Sequence, residues 1–529
     1  MNAGELTTDF GLPVREMGIA AAGLILCAFS RWCQRPSVAG QPSVEGARRE
    51  SIQVVLFLTP LFCLFALGVY GWGLLVIPIA GAHNQVVSMR WILLLCGALF
   101  AVVIPGEVDR PSHRPACLGL LLMSLSGALL MVGAVDLIDL ALALELCWVP
   151  VVFLFAVGRG SQQRCSGLLR LKMSAMLGSV CTLFGMSLIY VLTASTRFAR
   201  IAEVFAASAE QRWPSGIAVI TVCLLVAGVG MRIGLVPFEF RNPRWSSPHL
   251  IWTTGWAAVV SLFVLVATLL PLVDFQWVGA GRVAEGLLFL LALVALTLSN
   301  LRLLFERRLS VVLTHFVAVQ MGIILCGLAT MVWKTTQSPG AWIAVGSISG
   351  TDRVVSTGLG TAALAVTGMS AVLLYLRGQH PLSEENQTAE HLQELSGLVH
   401  RHPLAAVCLS ACLMALSGWP MMPGFWVRVE LLVALQPLLV ESPKVLILGL
   451  LILANLMLTA GVCGKLLMML FVNRPLGRLS SGGTRPALCA AVVVAALLTC
   501  GGLAPRLMGQ LIRTGAAEIG SSSSAARLP

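Results

Sequence analysis

Apolar runs about as long as a lipid bilayer is thick recur along this chain, separated by short polar punctuation. A helix that crosses the hydrocarbon core needs about 20 mostly apolar residues. Runs of that kind occupy residues 17–30, 52–79, 91–104, 117–135, 137–157, 171–193, 217–237, 250–272, 284–304, 311–332, 359–376, 404–439, 445–472 and 486–503. The pattern predicts an all-α integral membrane protein with about 14 transmembrane helices, two of them broken. An even number puts both termini on one side. Arginines favour the loops after odd-numbered runs (Arg31, Arg48, Arg159, Arg241, Arg307 and Arg474 among them), which places both termini outside the cytoplasm.

The longest polar segments, 31–51, 334–356 and 377–402, are only loop-sized, so no soluble domain is expected. The Ser-rich stretch 520–526 reads as disordered. The first run has no strongly basic leader and ends in Arg31-Trp32 without a small-residue cleavage signal, so it reads as a retained helix.

Composition agrees with the pattern. Of 529 residues 57% are hydrophobic and only 11% charged, with a mean hydropathy of +0.89, far from the profile of a soluble domain. A net charge of +11 would suggest nucleic acid in a soluble protein. Here the arginines sit in short loops, where they orient helices, and nucleic acid is excluded as a partner. The 15 cysteines are scattered singly through the apolar runs, with no CxxC pair and no Cys/His cluster at metal spacing, and read as small buried hydrophobes. With no Gly-rich nucleotide loop either, the chain itself is expected to bind no cofactor and no metal.

Chemistry must therefore reside in the ionisable residues inside the bilayer, where a charge is costly unless paired or hydrated. Glu145 lies mid-run in LALELCWVPVV. Arg232 sits in VGMRIGLVPFEF, five residues before Pro237. Arg170 and Lys172 start the run LLRLKMSAMLGSV, and Arg428 and Glu430 follow the break in LSGWPMMPGFWVRVELL. Each could also be a buried structural ion pair, and Lys172, near the end of its run, could snorkel to the interface. Two runs are interrupted at their charges. Pro237 removes the hydrogen bond to the Ile233 carbonyl, while Pro420 and Pro423 free the carbonyls of Leu416 and Trp419. Such groups persist at membrane depth only beside protein partners or water. An ordinary proline kink would explain either break alone. Two broken helices, each with a basic residue within five positions of the break, point instead to the ion path of an inverted-repeat transporter.

The succession LLLMSLSGALLMVGAVDLIDLALALELCWVPVVFLFAVG, LLRLKMSAMLGSVCTLFGMSLIY, VGMRIGLVPFEF, LSVVLTHFVAVQMGIILCG and LSGLVHRHPLAAVCLSACLMALSGWPMMPGFWVRVELL resembles the antiporter-like membrane subunits of respiratory complex I, subunit N most of all. The likeness runs from about residue 120 to 471 in order and spacing. It implies two inverted five-helix repeats, residues 117–272 and 284–472, preceded by N-terminal helices (1–116) and followed by a C-terminal helix and tail (486–529). It further implies a multi-pass subunit of the cell inner (plasma) membrane, with other antiporter-like and small helical subunits as partners. NADH, flavin, iron–sulfur clusters and quinone are expected on those partner subunits. As part of such an assembly the chain would serve an NADH:quinone oxidoreductase that translocates protons, without being catalytic alone.

The family's proton path of buried Glu, Lys and His maps onto this sequence with losses. Glu145 falls on the family's glutamate of the fifth helix and Arg232 on its partner lysine of the broken seventh. Arg170 replaces a lysine on the sixth helix and Arg428 the lysine of the broken twelfth. Val260 stands where a central lysine is expected, Gln320 where histidine is frequent, and Glu239 where the motif ends in histidine, while His315 replaces a residue that is usually aromatic, and a lone His on such a helix is more often hydrogen-bonded core than relay. A lysine can exchange its proton when buried, whereas a guanidinium keeps its charge. The candidate path is thus Glu145, Lys172, Arg232, Glu239, His315, Arg428 and Glu430, in which the arginines hold charge without relaying it. Three functions stay open: a subunit N with a degenerate proton path, a subunit of an Mrp-type cation/proton antiporter or membrane-bound hydrogenase, and a non-conducting scaffold.

Overall fold

The structure is a computed structural model that describes residues 11–34, 67–68, 84–108, 113–157, 165–207, 215–235, 248–274, 281–307, 309–337, 350–377, 395–441, 443–474 and 485–503. Their regular elements are sixteen helices. In chain order these are α1 (Gly11–Gln34), α2 (Asn84–Glu107), α3 (Arg114–Val132), α4 (Leu137–Ala156), α5 (Cys165–Thr193), α6 (Phe198–Ala207), α7 (Ser215–Ile233), α8 (Pro248–Asp274), α9 (Gly281–Phe305), α10 (Leu309–Gln337), α11 (Gly350–Arg377), α12 (Leu398–Arg401), α13 (Pro403–Ser417), α14 (Pro423–Glu441), α15 (Pro443–Phe471) and α16 (Arg485–Leu503). Eleven of them are long and apolar enough to cross a membrane, and two shorter apolar helices cover 16–28 and 403–417. The chain is a multi-pass integral membrane protein. The expected run 404–439 is split into α13 and α14, and most of the expected run 52–79 lies outside the described residues.

Helices α10 and α11 form the centre of the bundle, and the small residues of α11, among them Gly358, Gly360, Ala362, Ala363 and Ala365, let its neighbours approach closely. Their spans are 94% buried within the subunit, against 33% for α5. Around this centre stand α8, α13, α14 and α16, and hairpins such as α3–α4 and α9–α10 complete the bundle. The short α6 is amphipathic, with Ile201 and Phe205 buried and the Arg200–Glu203 pair (3.2 Å) exposed. One isolated β-bridge, Asp136 to Arg197, ties its start to the start of α4.

The approach of α5 to α7 fixes the geometry of the site. Gly178 on α5 faces Gly228 on α7 so closely that a Cβ at 178 would come within 2.7 Å of the Gly228 carbonyl oxygen and 2.8 Å of the Arg232 nitrogen. These are backbone atoms, so only parting the helices would make room. Gly178→Ala should therefore cost about 1–3 kcal/mol, read as a lowered thermal midpoint of the purified protein. Gly216→Ala on α7, where a Cβ meets nothing within 4 Å, should leave that midpoint in place.

Candidate functional site

Helix α7 stops at Ile233 because Gly234 adopts the left-handed conformation (φ +67°) and turns the Leu235 N–H back onto the Gly230 carbonyl at 2.8 Å. This is the closing bond of a Schellman motif. The break thus falls three residues before Pro237, which with Glu239 lies outside the described residues.

Arg232 occupies the last turn of α7, where the helix carbonyls favour a cation. Its side chain is only 1% exposed. Nη1 donates to Glu145 Oε1 at 3.0 Å and to Ser179 Oγ at 2.8 Å, and Nη2 donates to the Leu144 carbonyl at 2.9 Å. Ser179 Oγ in turn donates to the Ala175 carbonyl at 3.0 Å. One guanidinium therefore ties α4, α5 and α7 together. Glu145 keeps 42% of its side chain open, in line on α4 with the exposed Ile138, Leu142, Val149 and Phe153. The pair is thus dry on the arginine side and reaches the flank of the bundle on the glutamate side. A mostly apolar cavity of about 50 Å³ adjoins the end of α7, walled chiefly by Ile233, Leu313, Val317, Met321 and Met369, with Thr254 and Ser370 as its polar exceptions.

The second break repeats the backbone device. Helix α13 stops at Ser417, Gly418 is left-handed (φ +71°), and the Trp419 N–H reaches the Met414 carbonyl at 3.1 Å. Pro420 has no N–H for Leu416, and that carbonyl takes two side-chain donors instead: Gln320 Nε2 from α10 at 2.6 Å and Arg428 Nη2 from α14 at 3.0 Å. The Trp419 carbonyl, deprived by Pro423, accepts the Met422 N–H at 3.2 Å. Arg428 packs over Gly418, where a Cβ would collide with its guanidinium. Among the described residues no carboxylate lies within ion-pair distance of Arg428.

The remaining candidates are dispersed. His315 on α10 is 2% exposed and its Nδ1 has no partner. Glu430 on α14 is half-buried, its Oε2 unpartnered, with Arg353 of α11 in its electrostatic neighbourhood. Val260 is fully buried in α8. Arg170 and Lys172 fall in the early turns of α5, where side chains lie outside the described ones. The structure therefore joins Glu145 with Arg232, and Arg428 with Gln320, in two separate clusters. Sequence reading missed Ser179 and the Leu144 carbonyl. It also missed a second buried ion pair, Arg90 Nη2 to Glu16 Oε1 at 3.5 Å, whose side chains are 3% and 1% exposed. Both of these residues stand near the ends of apolar runs, where a charge reads as an interface anchor. Among the described residues no group of His, Cys, Asp and Glu is arranged to hold a metal ion.

A family model described as NADH:quinone oxidoreductase/Mrp antiporter, transmembrane, matches residues 134–441, more than half of the chain. The NADH-quinone oxidoreductase subunit N of Desulfitobacterium hafniense is 24% identical over 436 residues, covering 79% of this chain and 80% of that one. A chain of respiratory complex I from Thermus thermophilus, solved with bound aureothin, superposes with a TM-score of 0.67 at 20% identity over 94% of this chain and 98% of that one. A chain of the Mrp complex from Dietzia sp. gives 0.66 at 15% identity over 94% and 96%. The solved structures share the fold.

Two measurements check the clusters. Glu145→Ala should destabilise the protein by about 3 kcal/mol, the lower end for a broken buried pair because the carboxylate is partly open, and adding Arg232→Met should recover most of it. Gln320→Leu alone should cost about 1 kcal/mol, since Arg428 still serves the Leu416 carbonyl. Combined with Arg428→Leu it should cost more than the sum of the single changes, read by thermal unfolding as a double-mutant cycle.

Proposed function

The chain belongs to the NADH:quinone oxidoreductase/Mrp antiporter transmembrane family, and from that premise we propose that it is the subunit N of a complex I-like NADH-quinone oxidoreductase. In this reading it sits in the inner (plasma) membrane among other antiporter-like and small helical subunits, and residues 117–272 and 284–472 are its two inverted repeats. NADH, flavin, iron–sulfur clusters and quinone belong to the partner subunits. The chain contributes to coupling quinone reduction to proton movement without carrying the redox chemistry. The name of the Desulfitobacterium relative favours this assembly over an Mrp-type antiporter, although the fold serves both.

The observation that carries the proposal is the ion pair between Glu145 and Arg232 at the end of a broken helix. A charged pair at the break of a membrane helix can respond to the charges of its neighbours, which is the property that proton coupling would use. Arginine holds such a charge but does not release its proton near neutral pH, so Glu145 is the titratable member of the pair. Glu145, Lys172, Glu239, His315 and Glu430 are the candidate proton-exchanging residues, and Arg232 and Arg428 fix the electrostatic field around them.

A second reading, a non-conducting scaffold, is favoured by one specific observation. Both Arg232 and Arg428 are anchored on main-chain carbonyls, Leu144 and Leu416, by bonds with no part in proton transfer. Proton uptake per electron pair in reconstituted vesicles separates the two. Under the pumping reading, Arg232→Lys should raise the ratio provided Glu145 is intact, and adding Val260→Lys should raise it further. An unchanged ratio in both variants, with the assembly intact, would leave the scaffold standing. A parent ratio already equal to that of lysine-bearing relatives would refute the idea that Arg232 limits transfer.

A further inference from the structure

Helices α9 and α10 form an antiparallel hairpin, α9 ending at Phe305 and α10 starting at Leu309. On α10, Gly322 lies against Ala292 and Leu296 of α9, where an added Cβ would come within 3.2 Å of the Ala292 oxygen and 2.8 Å of Leu296 Cγ. Two helical turns towards the closed end, the same stripe of α10 carries His315. The corresponding stripe of α9, through Ala292 and Leu296, carries Ser299 and Leu303 at that level. Both polar residues are deeply buried, Ser299 at 0% and His315 at 2% exposure. Neither Ser299 Oγ nor His315 Nδ1 has a hydrogen-bond partner.

Two buried polar atoms left unsatisfied at one level of one helix pair are costly in an apolar interior, and such atoms are ordinarily satisfied by ordered water. The surroundings are polar as well. Beside Ser299, Asn300 Nδ2 donates to the Asn455 carbonyl at 3.0 Å and to Asn455 Oδ1 at 3.2 Å, and Thr459 Oγ1 donates to Asn300 Oδ1 at 2.8 Å. This brings α15 into the same region. Helices α8, α9, α11 and α14 pack on α10, which also meets α13 and α15 around Val312, Leu313 and Gln320; among the described residues the charged groups that bear on His315 are Arg302, exposed in the last turn of α9, and Glu306, half-buried just beyond it.

We infer that Ser299 and His315 enclose ordered water between α9 and α10, and that His315 is a proton-exchanging group there, communicating with the membrane surface past Glu306. The exchange needs no other reactant. The imidazole gains a proton that hydronium or a water chain loses, and Ser299 orients the water between them. This deepens the proposed function, on which it rests for its meaning. It sets a second titratable group beside Glu430 in residues 284–472, where Arg428 and Gln320 cannot relay a proton.

The test is pH-difference infrared spectroscopy on the intact assembly in native-lipid vesicles, without NADH, comparing the parent with His315→Phe and Ser299→Ala. Phenylalanine is close to the imidazole in shape and leaves no unpartnered nitrogen in the buried site, so that variant should fold. The expected result is an imidazole protonation band present in the parent and missing from His315→Phe, with its midpoint moved by roughly half a pH unit in Ser299→Ala. Coincident spectra of parent and His315→Phe overturn the inference, because His315 is then a dry core residue. An unmoved midpoint in Ser299→Ala overturns it too, because the two groups then share no water. Since no turnover is involved, an assembly that keeps the band yet translocates no protons refutes the proposed function and leaves this site standing.

Discussion

A guanidinium buried in a membrane protein has no water to hydrate it and cannot discard its proton, so the protein must be built around it. Arg232 is met by a carboxylate, a hydroxyl and a main-chain carbonyl, and these come from two helices other than its own. The glycine contact of α5 on α7 brings Ser179 within reach, and the Schellman turn at Gly234 ends α7 two residues later. Helix spacing, the position of the break and the open flank at Glu145 can all be traced to the demand of that one charge.

How much of this was legible follows the same physics. The pairing of Glu145 with Arg232 could be read from the sequence because a bilayer leaves a buried charge few alternatives. Ser179 could not, since hydroxyls are common in apolar runs and bond readily to their own helix, as Ser179 also does to Ala175. The breaks were legible through their prolines, but the residues that turn the chain are Gly234 and Gly418. Proline announces that a helix cannot continue, whereas glycine supplies the conformation that ends it. The centrality of α10 and α11 was hidden because an apolar run looks the same whether lipid or protein surrounds it. Glu16 and Arg90 were hidden by their place near the ends of their runs, and only the packing of α1, α2 and α3 buries them together.

The two halves answer the same backbone problem with different chemistry. In the first, the charge sits on the helix that ends and finds a carboxylate. In the second, it sits on the helix that begins and finds only a carbonyl and the neighbouring amide. The first cluster contains a group that can titrate. The second is held by hydrogen bonds whose donors keep their protons.

Broken membrane helices are commonly pictured as hinges, because a gap in the hydrogen-bond ladder removes stiffness. The Leu416 carbonyl gives the second break the opposite mechanical character. The carbonyl belongs to α13, Arg428 reaches it from α14 beyond the interruption, and Gln320 holds it from α10 beside it, so bending at Gly418 would stretch the Arg428 bond while Gln320 keeps the α13 end in place. The joint behaves as a rivet through three helices. Displacement imposed on α14 is carried to α10 at the centre of the subunit rather than absorbed at the gap.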